Sequence, residues 1–195
     1  RRGADLASQL VGVYRMMSQA GAEGAGGFYT ASEFDLAPLL QTGRPMMELG
    51  RSCLRKPYRG GPAMFYLWQA LAQHVTHRGV EILFGTASFA GTDVGALTAP
   101  LSLLRREHLA QAQLRPKAIG AGAVPLGAAG EFEIDRLAAL RAMPALIKAY
   151  LRLGGCVGEG AYVDAAFNTV DVCMVLDVLV MNPRQKAIYL KGSKQ

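Results

Sequence analysis

The chain has 195 residues, of which 51% are hydrophobic, a length that suits one well-packed domain over residues 1–195 and is too short for two. No run reaches the roughly 18 to 20 consecutive apolar residues of a membrane-spanning helix, because Asp171 and Asp177 interrupt the most apolar stretch, so we expect a soluble or peripheral protein. The formal net charge of +6 favours an acidic partner, but the few aromatic residues do not alternate with the basic ones, so no nucleic-acid partner is expected.

The first quarter of the chain predicts a strand, a loop and a short strand that leads into a helix. The sequence begins without Met or an apolar leader, so we expect a fragment without a signal peptide, whose preceding part supplies the first helices and strand of the fold. Residues 10–17 are rich in large apolar side chains and predict a strand, and the four glycines of 21–27 predict a flexible loop. Residues 28–36 predict a short strand followed by a helix capped by Thr30 or Ser32.

The middle of the chain predicts a strand, a turn and an amphipathic helix. Residues 46–54 alternate as a core strand, and the prolines and glycines of 57–62 indicate a turn. Apolar side chains then recur at close to the helical spacing over 63–78. A further strand over 80–89 and a helix over 97–109 follow.

The last third of the chain predicts an irregular glycine-rich loop, a helix broken near Pro144, two strands and a short final helix. These elements lie at 120–130, 134–153, 156–163, 171–179 and from Asn182 onward. Strands and helices thus alternate without an internal repeat, which predicts an α+β domain built around one mixed sheet.

The turn between the strand at 46–54 and the helix at 63–78 contains Arg59, Gly60 and Gly61. Backbone N–H groups at the start of a helix, together with the positive end of the helix dipole, can hold a phosphate group. Glycines before a helix are common, so an ordinary structural turn is an alternative. Arg55 and Lys56 add positive charge to the same loop and favour phosphate binding.

Glu48 places a carboxylate in the otherwise apolar strand at 46–54. An unpaired buried charge is costly, so such a carboxylate is expected to be either ion-paired or functional. Arg51 lies three residues on, which puts it on the opposite face of a regular strand and disfavours a direct local pair. Two hypotheses remain: a structural ion pair with an arginine elsewhere, or a base or orienting group for an attacking amine.

The cysteines and histidines form no recognisable metal or nucleophile site. Cys53, Cys156 and Cys173 are widely spaced in apolar surroundings and are expected to be buried free thiols. His74 and His77 lie three residues apart but have no third ligand nearby, so no metal is expected. A covalent acyl intermediate on Cys53 is an alternative for which no histidine partner is recognisable.

Several short segments occur in an order that matches a known family. They read ELGRSC at 48–53, LW at 67–68, LFGTASF at 83–89, PLSLL at 100–104, LIKAYLRLGG at 146–155, FNTVDVC at 167–173 and MN at 181–182. In these segments the chain resembles the ornithine Nα-acyltransferases of ornithine-lipid synthesis, a GNAT-like branch related to the acyl-homoserine-lactone synthases. The turn PYRGG at 57–61 is similar to the acyl-donor loop of GNAT N-acyltransferases. The resemblance covers residues 12–192.

The resemblance implies a GNAT-like α+β fold, with a mixed central sheet flanked by helices. It implies transfer of a 3-hydroxy fatty acyl group from acyl carrier protein to the α-amino group of L-ornithine, giving lyso-ornithine lipid. Arg59, Gly60 and Gly61 would bind the phosphopantetheine phosphate of the donor, and no other cofactor is implied. Glu48 would occupy the position of a conserved carboxylate of the related synthases and would take the proton of the amine, directly or through a water. Arg51 would steady that carboxylate or the carrier.

The family resemblance also suggests roles for the late aspartates and for the basic surface. Asp171 is the preferred contact for the ornithine δ-ammonium, although Asp164, Asp171 and Asp177 could also be caps and turn formers. The basic surface suits the acidic acyl carrier protein and an anionic inner membrane, so a cytoplasmic protein with peripheral membrane contact is expected. Alternatives are a different acceptor amine, acyl-CoA as donor, a non-catalytic binding module, or an inactive piece.

Overall fold

The computed structural model describes residues 9–127 and 133–181. The strands of this part are β1 (Gly12–Ser18), β2 (Phe34–Asp35), β3 (Met46–Leu54), β4 (Ile82–Ala90), β5 (Lys117–Ala118), β6 (Ala123–Val124), β7 (Cys156–Val157), β8 (Ala161–Asp164) and β9 (Thr169–Asp177). The helices are α1 (Gln19–Ala25), α2 (Ala37–Leu40), α3 (Ala63–His77), α4 (Thr98–His108), α5 (Arg136–Ala142) and α6 (Ala145–Arg152).

A seven-stranded mixed sheet forms the centre of the fold. Its order is β1-β3-β4-β9-β8-β6, and β7 pairs with β9 beside β8. Only β3 and β4 run parallel, because α3 connects them as a crossover, whereas the other pairs of this sheet are antiparallel. The predicted α+β fold with a mixed central sheet flanked by helices is therefore confirmed.

The two faces of the sheet are covered differently. Alternate residues of a strand point to opposite faces. On one face, Val172 and Met174 of β9 pack with the apolar sides of α3, α4, α5 and α6. On the other face, Cys173 and Val175 pack with the segment around Phe34 and the short helix α2. The second face is covered by less structure and leaves room for a cavity.

The parallel pairing of β3 and β4 is short. It joins Met46–Met47–Glu48 to Ile82–Leu83–Phe84 and then stops, although both strands continue for six further residues. Beyond this point β3 stays paired with β1, and β4 stays paired with β9. Gly85 lies at the point of separation, where a Cβ atom would stand 2.1 Å from the carbonyl oxygen of Leu49. The two central strands therefore diverge and open a cleft between them.

A β-bulge lies on β3 beside this cleft. Between the Arg15–Gly50 pair and the next pair at Cys53, β3 carries two residues where β1 carries one. Arg51 is one of the two, and its φ of 53° is a left-handed conformation that non-glycine residues adopt rarely. A bulge leaves the extra residue without a ladder partner and bends its strand.

Two early predictions are wrong. Residues 21–27 are not a loop, because Gln19–Ala25 form α1. The side chain of Ser18 caps this helix by accepting from the N–H of Gly21, Ala22 is buried, and Gly26 ends the helix in the left-handed conformation. The glycines that suggested a loop are thus compatible with a short helix that has a side-chain cap at one end and a glycine at the other.

The prediction for residues 28–36 is also corrected. A 3-10 turn at Tyr29–Ser32 comes first, followed by β2 and then α2. Neither predicted cap serves a helix, because the Thr30 hydroxyl donates to Glu48 and the Ser32 hydroxyl donates to the carbonyl of Tyr29.

Most of the remaining predicted elements agree with the structure. The loop predicted at 120–130 is corrected, because it contains the short strand β6, whose pairing with the distant β8 could not be read from its local glycine content. The strand at 46–54, the helix after the Pro/Gly turn and the helix break at Pro144 are confirmed. The strand predicted at 156–163 is divided into β7 and β8. The final helix from Asn182 and the last residues of the 120–130 loop lie outside the described residues. Within the described ranges, every helix is too short or too polar to span a bilayer.

Candidate active site

The cleft between β3 and β4 contains a cavity of about 390 Å³ on the less covered face of the sheet. Its walls come from β1, the 3-10 turn, the separated halves of β3 and β4, and the β8–β9 hairpin. The lining residues are Arg15, Tyr29, Thr30, Glu48, Leu49, Gly50, Arg51, Ser52, Cys53, Thr86, Ala87, Ser88, Leu146, Asp164, Phe167, Thr169 and Asp171. Glu48, Arg51 and Asp171, for which the sequence predicts catalytic or acceptor-binding roles, thus all line one cavity. Cys53, the alternative acyl carrier, lines it as well.

Glu48 lies at the closed end of the cleft, in the last parallel pair, and its residue is only 2% exposed. Its Oε1 accepts hydrogen bonds from the N–H and the hydroxyl of Thr30, both at 2.6 Å. Its Oε2 accepts one hydrogen bond from the N–H of Tyr29 at 3.1 Å. No cation among the described residues forms a salt bridge with it, so the structural ion pair is not found. Instead, three neutral donors of one turn orient the carboxylate.

Asp171 belongs to a cluster of three carboxylates beside Glu48. Glu33, Asp164 and Asp171 each offer an oxygen atom, and these atoms lie within 4.8 Å of one another. Glu33 and Asp171 are 4% and 5% exposed, whereas Asp164 is half-buried. Carboxylate oxygens at this spacing could hold a metal ion or an organic cation.

The carboxylate cluster is electrostatically unfavourable when all its members are ionised. Burial, together with the nearby carboxylates of Asp171, Asp164 and Glu48, raises the pKa of Glu33 to about 7. Burial also raises the pKa of Asp171; hydrogen bonds from Ser88 and Thr169 counteract this increase, and Asp164 adds to it. A cation in the cluster would offset both effects.

Two arginines line the cavity and give part of its wall a positive charge. The guanidinium of Arg51 lies over the ring of Phe167, 5.1 Å from its centroid. That of Arg15 lies over the ring of Tyr29 at 5.3 Å. Neither forms a salt bridge with any carboxylate in the described ranges. Arg51 and Glu48 line the same cavity without a salt bridge between them, in agreement with the disfavoured local pair, and the bulge at Arg51 interrupts the regular alternation of β3.

The predicted phosphate loop follows β3 directly. The side chain of Arg59 is exposed, and its Nε donates to the carbonyl of Leu54 at 3.1 Å. Gly60 has a φ of 78°, and no atom lies within 4 Å of where its Cβ would be. Pro62 stands at the cap position of α3 and offers no side-chain acceptor to the first N–H groups of this 15-residue helix. The loop is therefore open to solvent and combines uncapped helix donors with a nearby guanidinium.

The three cysteines differ in exposure, which corrects one prediction. Cys173 is buried, Cys156 is intermediate and Cys53 is exposed. Cys53 is exposed because β3 loses the cover of β4 after the strands separate, and the exposure of its residues rises from Gly50 onward. No histidine of the described residues lines the cavity with Cys53.

The sequence alone did not indicate Glu33 or Arg15 as site residues. Glu33 follows the 3-10 turn and directly precedes the buried Phe34. No motif in the sequence marks its side chain as buried. Arg15 lies on β1 opposite Gly50, where a Cβ would stand 2.8 Å from an Arg15 Nη atom. Asp177, by contrast, forms a two-pronged salt bridge with Arg44 at 2.7 and 2.8 Å and is structural.

Comparison with known proteins agrees with this architecture. Residues 3–69 match the acetyltransferase (GNAT) domain family. The L-ornithine N(alpha)-acyltransferase of Rhodobacter capsulatus is 49% identical over 183 residues, which are 94% of this chain and 70% of that protein. The enzyme of the same name from Agrobacterium fabrum is 40% identical over 95% of this chain and 64% of its own length. That from Brucella abortus is 35% identical over 93% of this chain and 65% of its own length.

The chain thus spans about two thirds of the length of these curated relatives. No solved structure gives a significant match. Both alignments extend over more than nine tenths of the chain. On this evidence the chain belongs to the L-ornithine Nα-acyltransferase family, a family of acyltransferases with a GNAT domain.

Proposed function

We propose that the protein transfers a 3-hydroxy fatty acyl group from acyl carrier protein to the α-amino group of L-ornithine, giving lyso-ornithine lipid. The names of its relatives support ornithine as the acceptor. One observation carries the proposal most strongly. A single cavity is lined by two arginines, a buried glutamate and two aspartates of the acidic cluster, which match the α-carboxylate, the α-amine and the side-chain ammonium of a diamino acid.

The reaction is the aminolysis of a thioester. The neutral α-amine attacks the thioester carbonyl, the C–N bond forms, the C–S bond breaks, and the thiol of phosphopantetheine leaves with a proton while the amine loses one. This chemistry requires alignment, proton removal and support for the oxyanion, but no protein nucleophile. A route through acyl-Cys53 is therefore not needed.

Glu48 is the proposed acceptor of the amine proton, directly or through one water. A carboxylate has about four lone-pair positions. Three are used by the Thr30 and Tyr29 donors, which leaves one on Oε2 for the substrate. The three donors also hold the carboxylate in a fixed orientation, as a general base requires.

Arg51 and Arg15 are proposed to bind the α-carboxylate of the acceptor. A guanidinium forms two parallel hydrogen bonds with a carboxylate. Both groups lie in the cavity over aromatic rings and without an acidic partner in the described ranges. Asp171 is proposed to contact the δ-ammonium, because it lies on β9 across the cleft from β3.

Arg59, Gly60 and Gly61 are proposed to bind the phosphate of the phosphopantetheine arm. The uncapped start of α3 supplies N–H donors and the positive end of a helix dipole. The loop begins just beyond Cys53, so an arm bound there would lead its thioester into the cleft. The net charge of +6 supports contact with an acidic carrier and with the anionic membrane that would receive the lipid.

The test is an assay of the full-length protein with 3-hydroxyacyl-carrier protein and a panel of amino acids, with products identified by mass spectrometry. We expect N-acylated ornithine as the main product. A different acylated amine would replace the acceptor but keep the reaction. Activity with acyl-CoA in place of the carrier would replace the donor. No product with any amine would support a non-catalytic binding module.

A further inference from the structure

We propose that Glu33, Asp164 and Asp171 together form the binding site for a side-chain ammonium, and that this site selects diamino acids over neutral amino acids. The inference rests on the proposed function, which it deepens from one contact to a specificity site. Its strongest element is Glu33, a residue that the sequence patterns did not indicate.

The three carboxylates come from two separate parts of the chain, the segment after the 3-10 turn and the β8–β9 hairpin. Glu33 follows the 3-10 turn, Asp164 ends β8, and Asp171 lies near the start of β9. The backbone holds Glu33 in place, since its N–H donates to the carbonyl of Thr30 and its own carbonyl accepts from the N–H of Ile119. The convergence of these oxygens within 4.8 Å is therefore built by the fold and not by one flexible loop.

Two of the carboxylates have buried oxygen atoms without a hydrogen-bond partner among the described residues. These atoms are Oε2 of Glu33 and Oδ1 of Asp171, whose residues are 4% and 5% exposed. A buried polar atom without a partner costs about 1–3 kcal/mol, and more when it is charged. Ser88 and Thr169 offer hydroxyl donors to Asp171, but no donor among the described residues reaches Oε2 of Glu33, and the donor that suits adjacent carboxylates is a cation.

An alkylammonium group matches the cluster. It carries one positive charge and three N–H donors that point in different directions. Asp164 uses its Oδ1 to accept from the N–H groups of Ala166 and Phe167, which leaves its other oxygen for a ligand. One ammonium could therefore donate to Glu33, Asp164 and Asp171 at once.

The position of the cluster explains why it would select an acceptor. Asp164 and Asp171 line the same cavity as Glu48 and the two arginines. An amino acid bound by its α-carboxylate at the arginines would extend its side chain across the cavity toward the cluster. A neutral side chain would leave the buried carboxylates unpaired, and sites of this kind reject ligands that lack the polar group.

A divalent metal ion is the competing ligand. Calcium and magnesium bind six or more oxygen atoms. The cluster offers three side chains. One of them, Asp164, already uses its Oδ1 to accept from the N–H of Ala166. The adjoining cavity and its positive wall have no role in a metal site, so the ammonium is favoured and metal binding is an outcome of the test.

The experiment compares L-ornithine with L-norvaline, which has the same carbon chain without the terminal amine. Wild-type full-length protein, Glu33→Gln and the control Glu23→Gln are assayed with 3-hydroxyacyl-carrier protein. Glu23 is exposed on α1 and does not belong to the carboxylate cluster, whereas Glu33 belongs to it and adjoins the cavity through Asp164 and Asp171, which line it. We expect wild-type kcat/KM to favour ornithine by at least about 100-fold. Glu33→Gln should lower this preference at least about tenfold through ornithine alone, whereas Glu23→Gln should keep it.

The other outcomes overturn the inference or separate it from the proposed function. Equal loss for both amino acids, or an unchanged preference in Glu33→Gln, would overturn the selection site while acyl transfer stands. If the wild type acylates neither amino acid, the proposed function fails. In that case, calorimetry without the acyl donor measures the affinities of the wild type and Glu33→Gln for ornithine and norvaline. A preference of the wild type for ornithine that falls in Glu33→Gln would support the inference, and an unchanged preference would overturn it. Binding of MgCl2 or CaCl2 that is lost in Glu33→Gln would assign the cluster to a metal. If Glu33→Gln does not fold, Asp164→Asn replaces it.

Discussion

The N–H and the hydroxyl of Thr30 both donate to Oε1 of Glu48 at 2.6 Å. These two hydrogen bonds join the 3-10 turn to the central strand β3, at the point where β3 separates from β4. The same turn leads directly to Glu33. Glu48 therefore has a structural duty as well as its proposed chemical one, and a useful test must separate the two.

Replacing Glu48 by glutamine should lower kcat by about 100-fold or more, because general-base assistance typically contributes that much. It should also lower the free energy of unfolding by about 1–3 kcal/mol, because the amide nitrogen of glutamine would face one of the N–H donors. Steady-state kinetics and urea unfolding measure the two effects. Near-normal turnover would reduce Glu48 to a structural residue.

The variant Thr30→Val is the matched control for Glu48. It removes the hydroxyl donor but keeps the carboxylate, and a hydrogen bond to a charged group contributes about 1.5–3 kcal/mol to stability. We expect a similar loss of stability with a much smaller loss of kcat. If both variants lose activity in proportion to their loss of stability, the chemical role of Glu48 is wrong.

Arg59→Ala should raise the KM for the acyl-carrier donor by up to about tenfold with little change in the KM for ornithine, since one charge-assisted contact to phosphate is lost. The effect should weaken in high salt because the side chain is exposed. Arg78→Ala is the control, because Arg78 is an exposed cation at the other end of α3. An unchanged donor KM in Arg59→Ala would remove the phosphate-loop assignment.

Gly50→Ala should weaken ornithine binding several-fold at little cost in stability. A Cβ at this position would stand 2.8 Å from an Nη atom of Arg15, so it would displace the flexible guanidinium that we assign to the α-carboxylate. Gly24→Ala is the control, because a Cβ there meets nothing within 4 Å. The KM for ornithine and thermal unfolding measure the outcome. Equal ornithine KM values in the two variants would exclude Arg15 from acceptor binding.

Ornithine binding should strengthen as pH rises through about 7. The pKa of Glu33 is raised to about 7 by burial and by Asp171, Asp164 and Glu48, so its charge, which attracts the ammonium, is present above that pH. Tyr29 lies near the same groups and keeps its proton in this range, because burial and the carboxylates raise its pKa. Calorimetric titrations between pH 6 and 8 should show this dependence in the wild type and not in Glu33→Gln.

The stability of the free protein should change with pH in the opposite sense. The pKa of Glu33 is higher in the folded protein than its ordinary value of 4.5, so the folded state binds more protons between these two values. Stability from this group is therefore greatest at low pH and falls as pH rises from about 4.5 to about 7. Glu33→Gln should remove this fall, and an identical pH dependence of unfolding in both proteins would contradict it.

The sequence predicted those parts of the fold that depend on local patterns. β3 and α3 were correctly placed because their alternating and helical spacings are regular, and the turn between them was predicted from its prolines and glycines. Helix α1 was missed because its glycines are typical of loops. The signal that favours a helix is the side-chain cap of Ser18 alone. The hydrophobic pattern also could not give the order in which the strands pair.

The candidate site was predicted only where a single residue was unusual in its own segment. Glu48 was found because it is a charge in an apolar strand. The left-handed conformation of Arg51 was not predicted, because a bulge depends on pairing with β1 and leaves no mark in the sequence of β3. Glu33 was missed because its burial arises from packing between the 3-10 turn and β5, over eighty residues apart.

The position of the acyl group on the product tests the central claim most directly. In the proposed arrangement, the arginines and the acidic cluster would orient ornithine with its α-amine near Glu48 and its δ-ammonium at the carboxylates. Tandem mass spectrometry of the product from full-length protein, 3-hydroxyacyl-carrier protein and ornithine should therefore show acylation at Nα. A product acylated at Nδ would contradict the account, because it would require the side-chain amine to lie at the reacting end of the cavity.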